Sequence, residues 1–144
     1  MGYPKARASR VENELATIMW SLGYAVVRGP SSGGGVRRRF QPDLVALKEG
    51  KILVFEVKMG REGEPVYLES SQVLGLTEFS RRCGGLAFIA VRLRGEGWRF
   101  HTLDRLETTR GGNFKLERPE SGLKIRDLEE TLFPKTEKLS KFMT

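Results

Sequence analysis

The chain has 144 residues, 39% hydrophobic and 30% charged, enough for one compact domain with a buried core. Its 25 Lys and Arg against 18 acids leave a net charge of +7 and a pI near 9.9, a balance that favours polyanionic partners such as nucleic acid. With one cysteine, Cys83, and one histidine, His101, an internal disulfide and a Cys/His zinc cage are both excluded, which leaves hard, oxygen-bound Mg2+ or Mn2+ as the metals to expect.

Apolar runs are all too short for a membrane span. The opening "MGYPKARASR" has no apolar stretch of the signal-peptide kind, so an intracellular, cytoplasmic location is expected. In residues 8–22, Val11, Leu15, Ile18 and Leu22 recur at helical spacing. Ser9 is placed to cap that helix with Glu12 three residues later, and Gly23 follows its end. Residues 24–28 read as a short strand stopped by Gly29-Pro30. The glycine-rich "SSGGGVRRRF" comes next, and its three arginines serve either to neutralise phosphates or merely to solubilise a loop. Residues 42–48 and 51–58 read as two strands meeting at Glu49-Gly50.

Residues 67–85 predict a second amphipathic helix, with Val73, Leu76, Phe79 and Cys83 inward and Gly84-Gly85 at its end. "LAFIAVRL" (residues 86–93) is apolar throughout, as in a strand buried on both faces, and residues 97–103 predict a shorter strand near an edge. Beyond Asp104 the pattern weakens until "IRDLEETLF" (residues 125–133), a last short helix. The division expected is one domain over 1–133 and a tail over 134–144. This order of elements implies an α/β fold with helices flanking one mixed sheet.

Asp43, Glu56 and Lys58 interrupt the two apolar strands. With Glu49-Gly50 as a two-residue turn, paired residue numbers sum to a constant that sets Asp43 opposite Glu56. Opposed Cβ atoms lie about 4.5–5.5 Å apart, where like charges repel. Strand alternation puts Lys58 on the same face, beside the apolar Ile52 and Val54. Three readings are open: a divalent cation between the acids, a proton on one of them, or a solvated face with Lys58 as salt-bridge partner. Glu12 borders the apolar stripe of its helix and is either a capping residue or a third acid of the site. Gln72 reads as a helix-surface residue.

Pro42-Asp43 followed by Glu56-Val57-Lys58 is the pattern of the PD-(D/E)xK nucleases. Together with "SRVENELATIMWSLGYAVVRGPSSG" before it and "SQVLGLTEFSRRCGGLAFIAVR" after it, the chain is similar, from about Ala8 to Val91 and more loosely to Phe133, to archaeal Holliday junction resolvases of the Hjc type. The resemblance implies a restriction-endonuclease-like fold with a central mixed sheet, a homodimer, and Mg2+-dependent paired nicks in four-way DNA junctions. It implies catalytic roles for Glu12, Ser32, Asp43, Glu56 and Lys58, with metal held by Glu12, Asp43, Glu56 and Val57. DNA contacts are implied for Lys5, Arg7, Arg10, Arg28, Arg37, Arg38, Arg39 and Gln72. Rival readings are a flap or damaged-duplex nuclease of the same fold and a junction-binding protein whose nuclease site is idle. The second helix and residues 86–93 are the expected dimer surface. Leu139, Phe142 and Met143 are similar to a sliding-clamp docking peptide, although its usual glutamine is Thr136 here.

Overall fold

A computed structural model describes residues 5–30 and 39–135, with side chains from residue 9 onward. The first helix, α1 (Lys5–Ser21), buries Val11, Leu15 and Met19, one position per turn. It starts three residues before the apolar pattern does. Ser9 therefore lies inside the helix and the expected Ser9–Glu12 capping box is not made; both residues instead accept from Arg28. Gly23 follows with φ +96°, a left-handed turn that turns the chain into β1 (Ala25–Arg28).

The strands β2 (Leu44–Lys48) and β3 (Lys51–Gly60) form the anticipated hairpin. Glu49 and Gly50 both have positive φ, 48° and 80°, which is the two-residue turn that matches strand twist. The register, Leu44↔Phe55 through Lys48↔Lys51, follows the turn deduced from the sequence but stops one residue short of Asp43, whose N–H bonds to the Phe55 carbonyl instead. After β4 (Val66–Leu68) and α2 (Ser70–Cys83) the chain returns as β5 (Leu86–Leu93), parallel to β3, and folds back antiparallel as β6 (Gly97–Thr102). The main sheet runs β1-β2-β3-β5-β6.

The predicted second helix begins late. Tyr67 and Leu68 belong to β4, Glu69 is the residue at the helix N-cap, and α2 starts at Ser70. Nor is the region after Asp104 patternless in space. It holds β7 (Glu107–Thr108) and β8 (Phe114–Leu116), which complete a small sheet ordered β4-β8-β7. Both strands are too short to show alternation. The last helix, α3 (Ile125–Leu132), lies where the sequence placed it.

Two apolar layers sandwich the main sheet. On one face α1 and α3 cover Leu44, Leu53, Phe55, Phe88 and Phe100. On the other, α2 and the small sheet cover Val54, Ile89, Val91 and Leu93. Each such buried Leu, Ile or Phe contributes about 1.5–3 kcal/mol. Phe88 to Val91 are all buried within the chain, which corrects the expectation that this strand offers a dimer surface. No described helix is long and apolar enough to cross a membrane. The side chains of Lys5 and Arg7, the residues Ser32, Arg37 and Arg38, and the clamp-like Leu139, Phe142 and Met143 lie outside the described residues.

Candidate active site

The hairpin brings the two acids together. Asp43 lies one residue before β2, with its N–H donating to the Phe55 carbonyl at 3.1 Å and its own carbonyl accepting from Gly29 at 3.0 Å. A Cβ on Gly29 would lie 2.1 Å from the Pro42 carbonyl oxygen; only glycine lets β1 approach Asp43 this closely. Phe40 is held similarly, its ring filling the space where a Gly75 side chain on α2 would sit. These contacts fix the Pro42-Asp43 segment against both flanking elements.

Asp43 Oδ2 accepts the Val57 N–H at 2.8 Å, which aims its carboxylate toward Glu56. Glu56 is only 6% exposed, unusual for an acid without a cation beside it. Burial first, and the Asp43 charge second, push its pKa up to about 8; Asp43 is also raised, by burial. Each carboxyl lies close enough to the other to perturb its ionisation. Either a proton on one acid or a cation between them would offset the repulsion that the sequence implied.

Lys58 is half-buried on the same face. It makes no direct ion pair with either acid, so the solvated salt-bridge reading is set aside. Its Nζ donates instead to Gln72 Oε1 at 3.2 Å, while Gln72 Nε2 donates to Glu56 Oε1 at 3.2 Å. Gln72, read from the sequence as a surface residue or a DNA contact, thus lies between the acid and the lysine. Only its place in the first turn of α2 hinted at this, and the helix start was misread by three residues.

Glu12 reaches the rim of the site from α1. Arg28 Nη2 donates to Glu12 Oε1, Ser9 Oγ and the Ser9 carbonyl, each at 3.2 Å. Burial and the Asp43 charge raise the Glu12 pKa, while Arg28 lowers it. Among the described residues no three acids converge into a metal cage. Glu12 is therefore near Asp43 and Glu56 but not gathered with them. The Arg28–Glu12 pair was not legible beforehand, because β1 and α1 touch only in the folded sheet. Arg10 and Arg39 are exposed.

The donor set suits a hard divalent cation. Asp43 and Glu56 offer carboxylate oxygens and Val57 a backbone carbonyl, and a 2+ charge between the acids would offset their repulsion. A buried acid beside a half-buried one, with no cation between them, is costly to hold.

The chain matches the family model "Archaeal holliday junction resolvase (hjc)" over residues 4–137. It is 39% identical over 130 residues to a crossover junction endodeoxyribonuclease Hjc of Sulfurisphaera tokodaii, covering 89% of each chain. To the Hjc of Archaeoglobus fulgidus it is 36% identical over 113 residues, 78% of this chain and 80% of that one. The solved structure of an Archaeoglobus fulgidus Hjc, described as a Holliday junction resolvase from an archaeal hyperthermophile, superposes with a TM-score of 0.74 at 35% identity. That match covers 83% of this chain and 98% of the other.

Proposed function

The chain belongs to the archaeal Holliday junction resolvase family, and from that premise we infer that it is a crossover junction endodeoxyribonuclease that nicks opposed strands of four-way DNA as an Mg2+-dependent homodimer. The observation that carries the chemistry is the buried Glu56 with the half-buried Asp43 close enough to raise its pKa, and Lys58 near both. A DNA-binding protein without chemistry has no use for a buried acid set close to a second one, whose repulsion it would have to absorb.

Asp43, Glu56 and the Val57 carbonyl would hold the cation, and Glu12 is the third acid that would join them only by leaving Arg28. When bound, it supplies Lewis-acid polarisation of the phosphate and acidifies a water. The Val57 N–H keeps Asp43 in one orientation. Lys58 orients the attacking water or stabilises the charge that grows on the phosphate oxygens. Ser32 is assigned a place beside the scissile phosphate. Arg28 holds Glu12 and stays close enough to Asp43 to ease its ionisation. Lys5, Arg7, Arg10, Arg37, Arg38 and Arg39 contact backbone phosphates, which favours branched shape over sequence and makes binding salt-dependent.

Two symmetric cuts call for two sites related by a dyad. Leu74 on α2 is 65% exposed and Val27 on β1 is 60% exposed, an uncovered apolar surface that supports pairing through this side. The test uses purified protein and Mg2+ on labelled four-way, flap and linear duplex DNA. Paired nicks confined to four-way junctions are expected. Cleavage of flaps or linear duplex alone would replace this reading with the broader nuclease, and junction binding without cleavage with the idle one.

A further inference from the structure

We propose that Gln72 is a positioning residue, a neutral spacer on α2 that keeps the Lys58 ammonium beside Glu56 without letting the two pair. The proposal rests on the nuclease reading of Asp43, Glu56 and Lys58.

Three hydrogen bonds determine how the amide is turned. Its Oε1 accepts from Lys58 Nζ at 3.2 Å and from the Glu69 N–H at 3.1 Å, and its Nε2 donates to Glu56 Oε1 at 3.2 Å. A flipped amide would set oxygen against carboxylate and N–H groups against two donors, so a single orientation satisfies the network. The bond from Glu69 N–H satisfies one of the donors left open at a helix start. It also ties the side chain to the N-cap of α2, whose Val73 and Leu76 are buried against the sheet. The amide is therefore held from the docked helix as well as from the hairpin that carries the acids.

A lysine next to two carboxylates would ordinarily collapse onto them. Its ammonium is a compact charge on a flexible four-carbon stem, free to choose the nearest anion. Such a collapse would put a monovalent cation where a divalent one belongs and would remove the donor intended for the phosphate or the water. Gln72 prevents this by giving the ammonium a neutral acceptor, while its other end steadies Glu56. The residue touches neither phosphate nor metal in this scheme. It acts through Lys58 and Glu56.

Two variants test the idea on the full-length protein. Gln72→Met keeps the bulk and deletes all three bonds. Gln72→Glu keeps the acceptor for Lys58 and for the Glu69 N–H but sets a second carboxylate against Glu56, so it serves as the test if the methionine variant does not fold. Four-way junction affinity in chelator and the far-ultraviolet melting curve are measured beside single-turnover cleavage at saturating enzyme. Affinity within about twofold is expected, with the cleavage step slowed about 30- to 100-fold, the cost of a reacting group displaced by roughly 1 Å. Cleavage at the parental rate by either folded variant overturns the proposal. So does an affinity loss with an unchanged cleavage step, which makes Gln72 a DNA contact. Lys58→Ala is run in parallel: if it cuts normally, the lysine assignment fails by itself, and the two failures are told apart.

Discussion

In chelator, Glu56→Gln is expected to raise the stability of the fold at pH 8.5 and to leave it nearly unchanged at pH 4. The carboxyl is buried and faces Asp43, so its pKa is pushed up to about 8 from 4.5. In the folded chain it keeps a proton that the unfolded chain has already released. Stability therefore falls as pH climbs from about 4.5 to about 8, and levels off on either side. At about 1.4 kcal/mol per unit, the rise from 4.5 to about 8 sets a ceiling near 5 kcal/mol. Relaxation and ionisation within the pair leave roughly 1–3 kcal/mol for the measurement. The variant amide can accept from Gln72 Nε2 and donate to Asp43, so no buried polar group is orphaned. For a domain of this size about 3 °C accompanies each kcal/mol. Chemical denaturation of both proteins in EDTA across this pH range checks it, with the gap between them opening only toward high pH. Parallel pH profiles would refute the reasoning, since they would mean that Glu56 ionises in the folded chain as easily as in the unfolded one. Added Mg2+ is expected to close the gap by stabilising the parent alone.

Other expectations follow from single contacts. Asp43→Asn keeps junction affinity in chelator within about threefold but slows cleavage about a hundredfold or more, each tenfold being about 1.4 kcal/mol of barrier; a normal rate would remove Asp43 from the metal set. Gly29→Ala drives a Cβ to 2.1 Å from the Pro42 carbonyl oxygen, so equilibrium unfolding is expected to show a loss of about 1–3 kcal/mol, with cleavage reduced as Asp43 moves. Leu15→Ala empties a fully buried site under α1 and costs about 2–5 kcal/mol by denaturant titration, with junction affinity kept by the folded fraction. Tyr24→Phe deletes the bond from the Tyr24 hydroxyl to Glu129. The loss expected is about 1.5–3 kcal/mol, as for bonds to charged groups, with an unaltered cleavage rate, since this pair joins the residue before β1 to α3 and involves none of the acids of the site.

The hairpin that carries the acids could be read from the chain because it is a local object: the turn at Glu49-Gly50 fixes the register from Leu44↔Phe55 to Lys48↔Lys51, and Asp43 and Glu56 follow at its open end. The helix positions of Val11, Leu15, Val73 and Leu76 were legible for the same reason, since periodicity needs no knowledge of distant contacts. The rest of the site depends on what packs against the hairpin. Ser9 and Glu12 carry a capping-box signature that their local sequence supports, yet Arg28, brought over by β1, claims both side chains. Tyr67 and Leu68 continue a helical pattern, but pairing with β8 draws them into a strand. Gln72 could not be placed between Glu56 and Lys58 until the docking of α2 was known. Non-local pairing overrode local preference in each of these cases.

The last third of the chain contributes no charge or ligand to the chemistry described above, yet it guards against a different failure. β6 is an edge of the main sheet, and an open edge is a template on which stray strands add and aggregates grow. Phe100 and Leu123 close that edge by exchanging both backbone bonds, at 2.8 and 2.9 Å, while His101 Nε2 is bonded to the Pro119 carbonyl at 2.7 Å. Residues 119–123 thus act as a fender along the sheet, secured at its far end by α3. On that side the sheet therefore offers a stray strand few free backbone groups on which to add.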